Sequence, residues 1–189
     1  MKTFSELGLN DALLRAIAEQ GYENPMPVQE EVIPWLTDTQ SDNQHSDLIA
    51  LAQTGTGKTA AYGLPLLHLL AAEGHQGDRK QVRALILAPT RELCIQIAED
   101  LHDFAHYLPD ISMLAVYGGA GIEPQIRALK HGVDIVVAGK TGSPQRGDGL
   151  VNSCFICYAP ADDPEIAVAV IIEKGYEGDR AAPVAKAVL

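Results

Sequence analysis

Apolar residues recur along the chain in two alternating patterns. Short apolar runs, bounded by polar or glycine-containing segments, predict β-strands over 48–52, 83–88, 112–117 and 134–138. Between them, apolar residues at helical spacing predict helices over 58–70, 91–107 and 122–131. Strands that alternate with helices indicate an α/β fold, in which a parallel sheet is covered by helices on both faces. Ligands of such folds bind beyond the carboxyl ends of the strands.

Helical spacing also identifies buried faces and two earlier helices. In the helix over 91–107, the stripe expected to face the core consists of Leu93, Ile97, Leu101 and Phe104. Near the start of the chain, Asn10 or Asp11 can cap a helix that Gly21 ends. A second short helix carries Val28, Val32 and Ile33, and we expect Pro34 to disturb its end.

The pattern changes after Ala138. Residues 140–149 are rich in glycine, proline and charge, and two apolar runs over 152–158 and 165–174 follow. The segment between these runs contains two prolines and two aspartates, so the runs predict a β-hairpin. Residues 181–189 predict a terminal helix. The sequence therefore predicts two parts, 1–138 and 139–189.

Composition excludes several classes of protein. The 189 residues suffice for one domain with a substantial core. The net charge of −11 argues against a protein that coats nucleic acids nonspecifically, although a local basic groove is compatible with it. No apolar stretch approaches transmembrane length, and the N-terminus lacks a targeting pattern, so we expect no membrane partner.

Three cysteines, an odd number, indicate reduced thiols and a cytoplasmic location. Cys154 and Cys157 have the spacing of a redox or zinc pair. They lie in a predicted strand, however, where positions three apart face opposite ways, and no second pair completes a zinc site. We therefore interpret them as structural.

The segment Ala52-Gln53-Thr54-Gly55-Thr56-Gly57-Lys58-Thr59 connects a predicted strand to a predicted helix. Gly55 and Gly57 allow a tight turn that directs backbone N–H groups at phosphate oxygens, and the helix adds its positive dipole end. Lys58 can reach the outer phosphates, and the Thr59 hydroxyl can ligate magnesium. The segment predicts a phosphate-binding loop; the alternative is a glycine-rich turn, and Ala52 replaces the first glycine of the general pattern.

Residues 1–138 resemble the first RecA-like domain of DEAD-box RNA helicases. Phe4 and the segment Gly21-Tyr22-Glu23-Asn24-Pro25-Met26-Pro27-Val28-Gln29 match the family's Q motif. The phosphate-binding loop, then Pro89-Thr90-Arg91-Glu92-Leu93 and the pair Gly118-Gly119, follow in the family's order. The resemblance implies a RecA-like parallel sheet that is truncated here and flanked by helices.

The same resemblance implies ATP and magnesium as cofactors. Gln29 would read adenine, since an amide offers one donor and one acceptor to the base. Phe4 and Tyr22 would pack near the base, and residues 53–59 would hold the phosphates and magnesium. The residues Thr90, Arg91, Gly118 and Gly119 would contact the backbone of single-stranded RNA. Taken singly, Phe4, Tyr22 and Gly119 are core or turn residues, and Arg91 is a solvated residue at a helix start.

The resemblance ends at Ala138. The family continues with Thr-Pro-Gly-Arg, an acidic Asp-Glu-Ala-Asp strand and Ser-Ala-Thr, none of which follows, and its second RecA-like domain is missing as well. Because the acidic motif holds magnesium and positions water, we expect neither efficient hydrolysis nor unwinding. Asp162, Asp163 and Glu173 could substitute for the missing acids, but we interpret them as residues of a solvated turn and a strand end. The missing strand would leave a sheet edge open to association.

Residues 139–189 resemble the C-terminal end of a penicillin-binding transpeptidase domain. Gly139-Lys140-Thr141-Gly142-Ser143 is similar to the Lys-Thr-Gly strand that binds the substrate carboxylate, but no serine has a lysine three positions later to act as nucleophile. The chain therefore looks like a chimera joined near Val137 and Ala138, of artificial origin or, alternatively, a natural fusion. Two other functions stay open: a transpeptidase fragment and a chimera that folds without activity.

Overall fold

A computed structural model describes residues 2–38, 48–53, 55–74 and 81–139, together with the backbone of 153–159 and 166–172. A short 3-10 helix, Phe4–Leu7, begins the chain. In chain order there follow α1 (Asp11–Glu19), α2 (Pro27–Thr37), α3 (Lys58–Glu73), β1 (Ala84–Ala88), α4 (Arg91–Phe104), β2 (Met113–Tyr117), α5 (Ile122–His131), β3 (Ile135–Gly139), β4 (Ser153–Ala159) and β5 (Ile166–Ile172). This alternation confirms the α/β prediction.

The strands β1, β3 and β2 form a parallel sheet in that order, with β3 in the centre. Ile135 at the start of β3 stands opposite both Ala84 and Met113. Helix α4 leads from β1 to β2, and α5 leads back from β2 to β3. Because parallel crossovers are right-handed, these opposite directions place the two helices on opposite faces of the sheet. All three strands end at the same side, next to the loops that carry the candidate site.

The main core lies between the sheet, α3 and α4. Ile135 and Val137 of β3 point into it and are fully buried, as is Leu64 of α3. Three of the four residues of the predicted α4 stripe are buried in the same cluster, namely Ile97, Leu101 and Phe104. The fourth, Leu93, packs at the margin of this cluster. Helix α3, which begins at the predicted phosphate-binding loop, is therefore held against the sheet by ordinary apolar packing.

The opposite face of the sheet is covered much less. Among the described residues, α5 contributes no buried side chain, and its Ile122 and Ile126 are 67% and 39% exposed. Leu87 of β1 alternates away from the core face and is 40% exposed. Within the part of the chain that the structure describes, β1 pairs only with β3, so its outer edge carries no strand.

Two details of the predicted elements are wrong. Residues 48–53 belong to neither sheet, and Leu51 is 93% exposed. A strand needs a neighbour to take its N–H and C=O groups, and no described strand pairs with this segment. Helix α2 also continues past Pro34 to Thr37, because one missing N–H interrupts only one helical hydrogen bond.

The C-terminal strands form a separate sheet. β4 and β5 pair antiparallel, with Ser153 opposite Ile172 and Ala159 opposite Ile166. This pairing confirms the predicted hairpin and shows that its strands do not extend the parallel sheet. The helix predicted over 181–189 lies outside the described residues. Among the described helices, none has both the length and the apolar character needed to cross a bilayer.

Candidate functional site

The loop that precedes α3 has the backbone geometry that its glycines predict. Gly55 and Gly57 have φ angles of +79° and +76°, in the left-handed region that favours glycine. Gly57 is the N-cap of α3, so Lys58 and Thr59 occupy the first turn of that helix. The N–H groups of a helix start attract anions. Thr54, also predicted to bind phosphate, lies outside the described residues.

Lys58 is folded back onto this loop. Its ammonium donates hydrogen bonds to the carbonyl oxygen of Ala52, at 3.0 Å, and to that of Gln53. The hydroxyl of Thr56 donates to the same Gln53 carbonyl at 2.8 Å. The carbonyl oxygen of Gln53 thus accepts hydrogen bonds from the side chains of both Thr56 and Lys58. Lys58 has to leave these carbonyls before it can contact a phosphate.

Thr59 contacts neighbours that the sequence did not reveal. Its side chain lies close to Tyr62 of α3 and to Asp100 of α4. Burial raises the pKa of Tyr62 to about 12, and the nearby Thr59 hydroxyl opposes this shift. Burial is also the main cause that raises the pKa of Asp100, with the charge of Asp103 second. The hydroxyl predicted to ligate magnesium therefore lies beside a partly buried carboxyl group.

Gln29 connects α2 to the loop. The side chain is 1% exposed, its Oε1 accepts a hydrogen bond from the backbone N of Met26 at 2.8 Å, and its Nε2 donates to the carbonyl of Gly57 at 3.0 Å. A Cβ atom at position 57 would lie only 2.2 Å from that Nε2. Glycine is therefore needed at position 57 both for the positive φ and for the approach of Gln29.

The two predicted aromatic residues pack with each other. Phe4 is 5% exposed and belongs to the core, which is the alternative that its sequence context left open. Tyr22 is more exposed and contacts the rings of Phe4 and Phe104 edge-on, with centroid distances of 6.1 and 5.8 Å. Burial and the charge of Asp100 raise the pKa of Tyr22. Of the two, Tyr22 keeps the ring surface that a ligand could meet.

An apolar groove runs beside the loop, between α2 and residues 48–53. Its volume is about 690 Å³. Its lining includes Met26 and Val28 of the Q motif and Gln53 and Thr56 of the loop. A mostly apolar concavity with a few polar groups is the usual form of a small-molecule site. The groove thus offers an apolar surface next to the predicted phosphate position.

The residues predicted to contact RNA meet at the carboxyl ends of β1 and β2. The Thr90 hydroxyl caps α4 by accepting a hydrogen bond from the N of Leu93 at 3.2 Å. The Arg91 guanidinium lies over the ring of Tyr117, 5.2 Å from its centroid. Gly119 has a φ of +89°, and a Cβ there would lie 2.9 Å from Nη1 of Arg91. Gly118 is exposed, with open space around it.

Comparison with known families agrees with this arrangement. The DEAD/DEAH box helicase model matches residues 26–143, more than half of the chain. The chain belongs to the DEAD/DEAH box helicase family. The ATP-dependent RNA helicase DeaD of Buchnera aphidicola subsp. Schizaphis graminum is 44% identical over 144 residues, covering 76% of this chain and 22% of that protein. The ATP-dependent RNA helicase CshA of Listeria monocytogenes is 43% identical over 146 residues, covering 77% of this chain and 25% of that protein.

Solved structures of helicases confirm the RecA-like fold of this DEAD/DEAH box chain. The RNA helicase Prp28 from Chaetomium thermophilum, bound to ADP, superposes with a TM-score of 0.60 at 40% identity over 74% of this chain and 32% of that chain. A hypothetical ATP-dependent RNA helicase from Sulfolobus tokodaii gives a TM-score of 0.57 at 34% identity over 69% of this chain and 34% of that chain. The chain therefore spans about a third of these helicase structures.

A second family matches the end of this helicase chain. The penicillin binding protein transpeptidase domain matches residues 118–189, which include both hairpin strands. Its match overlaps the helicase match over 118–143, and the Val137-Ala138 pair lies in this overlap. The double resemblance seen in the sequence is thus confirmed. The Lys140-Thr141-Gly142 segment lies outside the described residues.

Proposed function

We propose that residues 1–138 are an ATP- and magnesium-binding domain of the helicase type, without hydrolysis or unwinding, and that residues 139–189 are a separate transpeptidase-derived segment. The observation that carries this proposal is the hydrogen bond from Gln29 to the carbonyl of Gly57. It places the residue predicted to read the base directly against the loop predicted to bind the phosphates.

The base side of the site favours adenine. Gln29 uses one N–H and one oxygen lone pair for Gly57 and Met26. An amide carries two N–H bonds and two lone pairs, so one donor and one acceptor would remain for a base edge once the side chain, which is 1% exposed, is uncovered. The neighbouring apolar groove offers a surface on which the base can pack. The exocyclic carbonyl of guanine would present the opposite polarity to the same donor and acceptor pair.

The phosphate side uses the loop and the start of α3. Lys58 would exchange the carbonyls of Ala52 and Gln53 for phosphate oxygens, which are stronger acceptors because they are charged. Thr59 and the nearby Asp100 carboxyl group fit magnesium, which prefers oxygen ligands. In this arrangement, Thr59 would hold the ion, and Asp100 would orient the Thr59 hydroxyl.

Loss of hydrolysis follows from the sequence after β3. The family's acidic strand, which would hold magnesium and position the attacking water, does not follow residue 139. Binding requires the loop, whereas hydrolysis also requires an acid and a water in line with the γ-phosphate. RNA contact at Thr90, Arg91, Gly118 and Gly119 would be weak, because few charges take part and the net charge of −11 repels RNA.

Nucleotide titration tests the proposal. ATP and GTP labelled with a fluorophore are titrated in the presence of magnesium against the full chain, Gln29→Ala, Lys58→Ala and the surface control Lys130→Ala. We expect a preference for ATP that Gln29→Ala relaxes, a loss of both ligands in Lys58→Ala, and no change in the control. Equal binding of ATP and GTP by the unaltered chain would contradict the adenine assignment.

The transpeptidase match and the β4–β5 hairpin favour a second candidate, a penicillin-binding fragment. Its test is covalent labelling with a fluorescent penicillin, which requires a serine nucleophile that the Ser-x-x-Lys pattern would normally supply. We expect no labelling, since this pattern is absent from the chain. A chain that binds neither ATP nor penicillin would be the inactive chimera.

A further inference from the structure

Within the part of the chain that the structure describes, the side chain of Gln125 in α5 bonds to backbone groups of Tyr117, the last residue of β2, and of Gly121, the N-cap of α5. Its Oε1 accepts a hydrogen bond from the N of Tyr117, and its Nε2 donates to the carbonyl oxygens of Tyr117 and Gly121, each at 3.2 Å. The glycine pair predicted to contact RNA lies between these two anchor points. One side chain thus holds both ends of the segment 117–121.

The two hydrogen bonds between Gln125 and the Tyr117 backbone resemble those between neighbouring strands of a sheet. Tyr117 is the last residue of β2, which pairs on one side with β3. In a parallel ladder, the N–H and C=O of one residue point to the same neighbour. The amide of Gln125 presents an acceptor and a donor to this pair, as a further strand would. It therefore completes the hydrogen bonding of the strand end and determines where the glycine turn begins.

Arg91, the first residue of α4, also contacts the segment 117–121. Its guanidinium lies over the Tyr117 ring and against Gly119, where an added Cβ would be 2.9 Å from Nη1. Gln125 fixes the Tyr117 backbone while Arg91 packs on its ring. The two side chains define the position of the glycine pair relative to the positive charge of Arg91.

We propose that Gln125 is a positioning residue that preorganises Gly118 and Gly119 for the sugar-phosphate backbone of single-stranded RNA. This inference rests on the RNA contact proposed above. Backbone N–H groups bind phosphates well only when the turn that presents them is already ordered, because ordering it on binding costs free energy. Gln125 acts through the loop and contributes no charge to the contact.

The salt dependence of RNA binding separates positioning from direct charge contact. The affinity for a fluorescein-labelled oligouridine is measured by anisotropy over a series of salt concentrations for the full chain, Gln125→Ala, Arg91→Ala and the matched control Gln81→Ala. Gln81 is an exposed glutamine before β1, at the other end of the sheet. We expect Gln125→Ala to lose affinity about fivefold with an unchanged salt slope, because it removes hydrogen bonds and no charge.

The other variants define the alternatives. Arg91→Ala should reduce the logarithmic salt slope by about one, since a cation no longer displaces a counterion. Gln81→Ala should leave affinity and slope unchanged. Unchanged affinity in Gln125→Ala, or a slope reduced as in Arg91→Ala, would overturn the positioning role.

Amide hydrogen exchange keeps the inference testable without RNA. Exchange over residues 118–121 should accelerate in Gln125→Ala and stay protected in β1. Gln125→Glu keeps the acceptor for Tyr117 N but lacks the amide donor, so its exchange should be intermediate. If the unaltered chain does not bind oligouridine, the proposed RNA contact is refuted. Accelerated exchange in Gln125→Ala would still show that Gln125 anchors the loop. Unchanged exchange in both variants would refute it.

Discussion

Nε2 of Gln29 donates a hydrogen bond to the carbonyl of Gly57 at 3.0 Å, across 28 positions of sequence. The bond joins the start of α2 to the residue that caps α3. Because Gln29 is buried, loss of either partner leaves a polar group that water cannot easily reach. The order of the predicted phosphate-binding loop therefore depends on a residue outside it.

Substitution of Gly57 tests this dependence, and Gly55 provides the matched control. Both glycines have left-handed φ, but a Cβ at 55 meets open space, whereas one at 57 would collide with Gln29. Gly55→Ala should lower the free energy of unfolding by about 1–2 kcal/mol. Gly57→Ala should cost a further 1–3 kcal/mol, about the penalty for an unpaired buried amide. Urea unfolding measures the free energy of unfolding of both variants. Equal losses in the two variants would contradict the dependence of the loop on the contact between Gln29 and Gly57.

ATP turnover should stay near background, with or without RNA. The acid that would hold magnesium and the base that would position water are absent from the sequence after β3. Steady-state phosphate release is measured on the full chain and on Lys58→Ala, which controls for contaminating ATPases. Turnover that Lys58→Ala abolishes would show this prediction to be wrong. Alanine variants of Asp162, Asp163 and Glu173, which lie outside the described residues, would then identify the substitute acid.

The glycine pair should respond unequally to alanine. At Gly119, the φ of +89° and the nearby Arg91 make any Cβ costly, whereas Gly118 has open space. Gly119→Ala should therefore lower the melting temperature, and Gly118→Ala should not. A loss of oligouridine affinity in a stable Gly118→Ala variant would report direct crowding of RNA. If Gly119→Ala kept both melting temperature and affinity, the proposed contact would be in error.

The outer edge of β1 should promote association. Its sequence, Ala84-Leu85-Ile86-Leu87-Ala88, contains neither charge nor proline, the features that usually protect an edge strand. We expect sedimentation to show concentration-dependent oligomers that Leu87→Lys suppresses. The control, Gln81→Lys, adds the same charge outside the strand. Suppression by both variants would indicate a general charge effect instead of edge pairing.

Tyr62 should make the free energy of unfolding depend on pH. Burial raises the pKa of its phenol to about 12 from 10.0. The unfolded chain therefore ionises first, so stability from this group is complete below pH 10 and is lost as the pH rises through about 12. The difference in unfolding free energy between the full chain and Tyr62→Phe should shrink over this range. A constant difference would mean that Tyr62 is not buried in solution.

The sequence by itself determined the features that depend on neighbouring residues. Helical and strand periodicity placed α3, α4, α5 and the three parallel strands within a few residues of their observed bounds. Asn10 caps α1 as its position in the sequence predicts, because a short polar side chain can reach the free N–H groups of the first turn. The positive φ angles of Gly55 and Gly57 follow in the same way from steric demands within one loop.

Tertiary structure decided what depends on partners distant in sequence. Residues 48–52 have a strand-like pattern but form no strand, since a strand requires a neighbour to accept its hydrogen bonds. Local sequence carried no signal for the bond from Gln29 to Gly57 or for the anchoring of Tyr117 by Gln125. Hydrogen bonds of this kind form only after packing has brought helices and loops together, so spacing along the chain cannot reveal them.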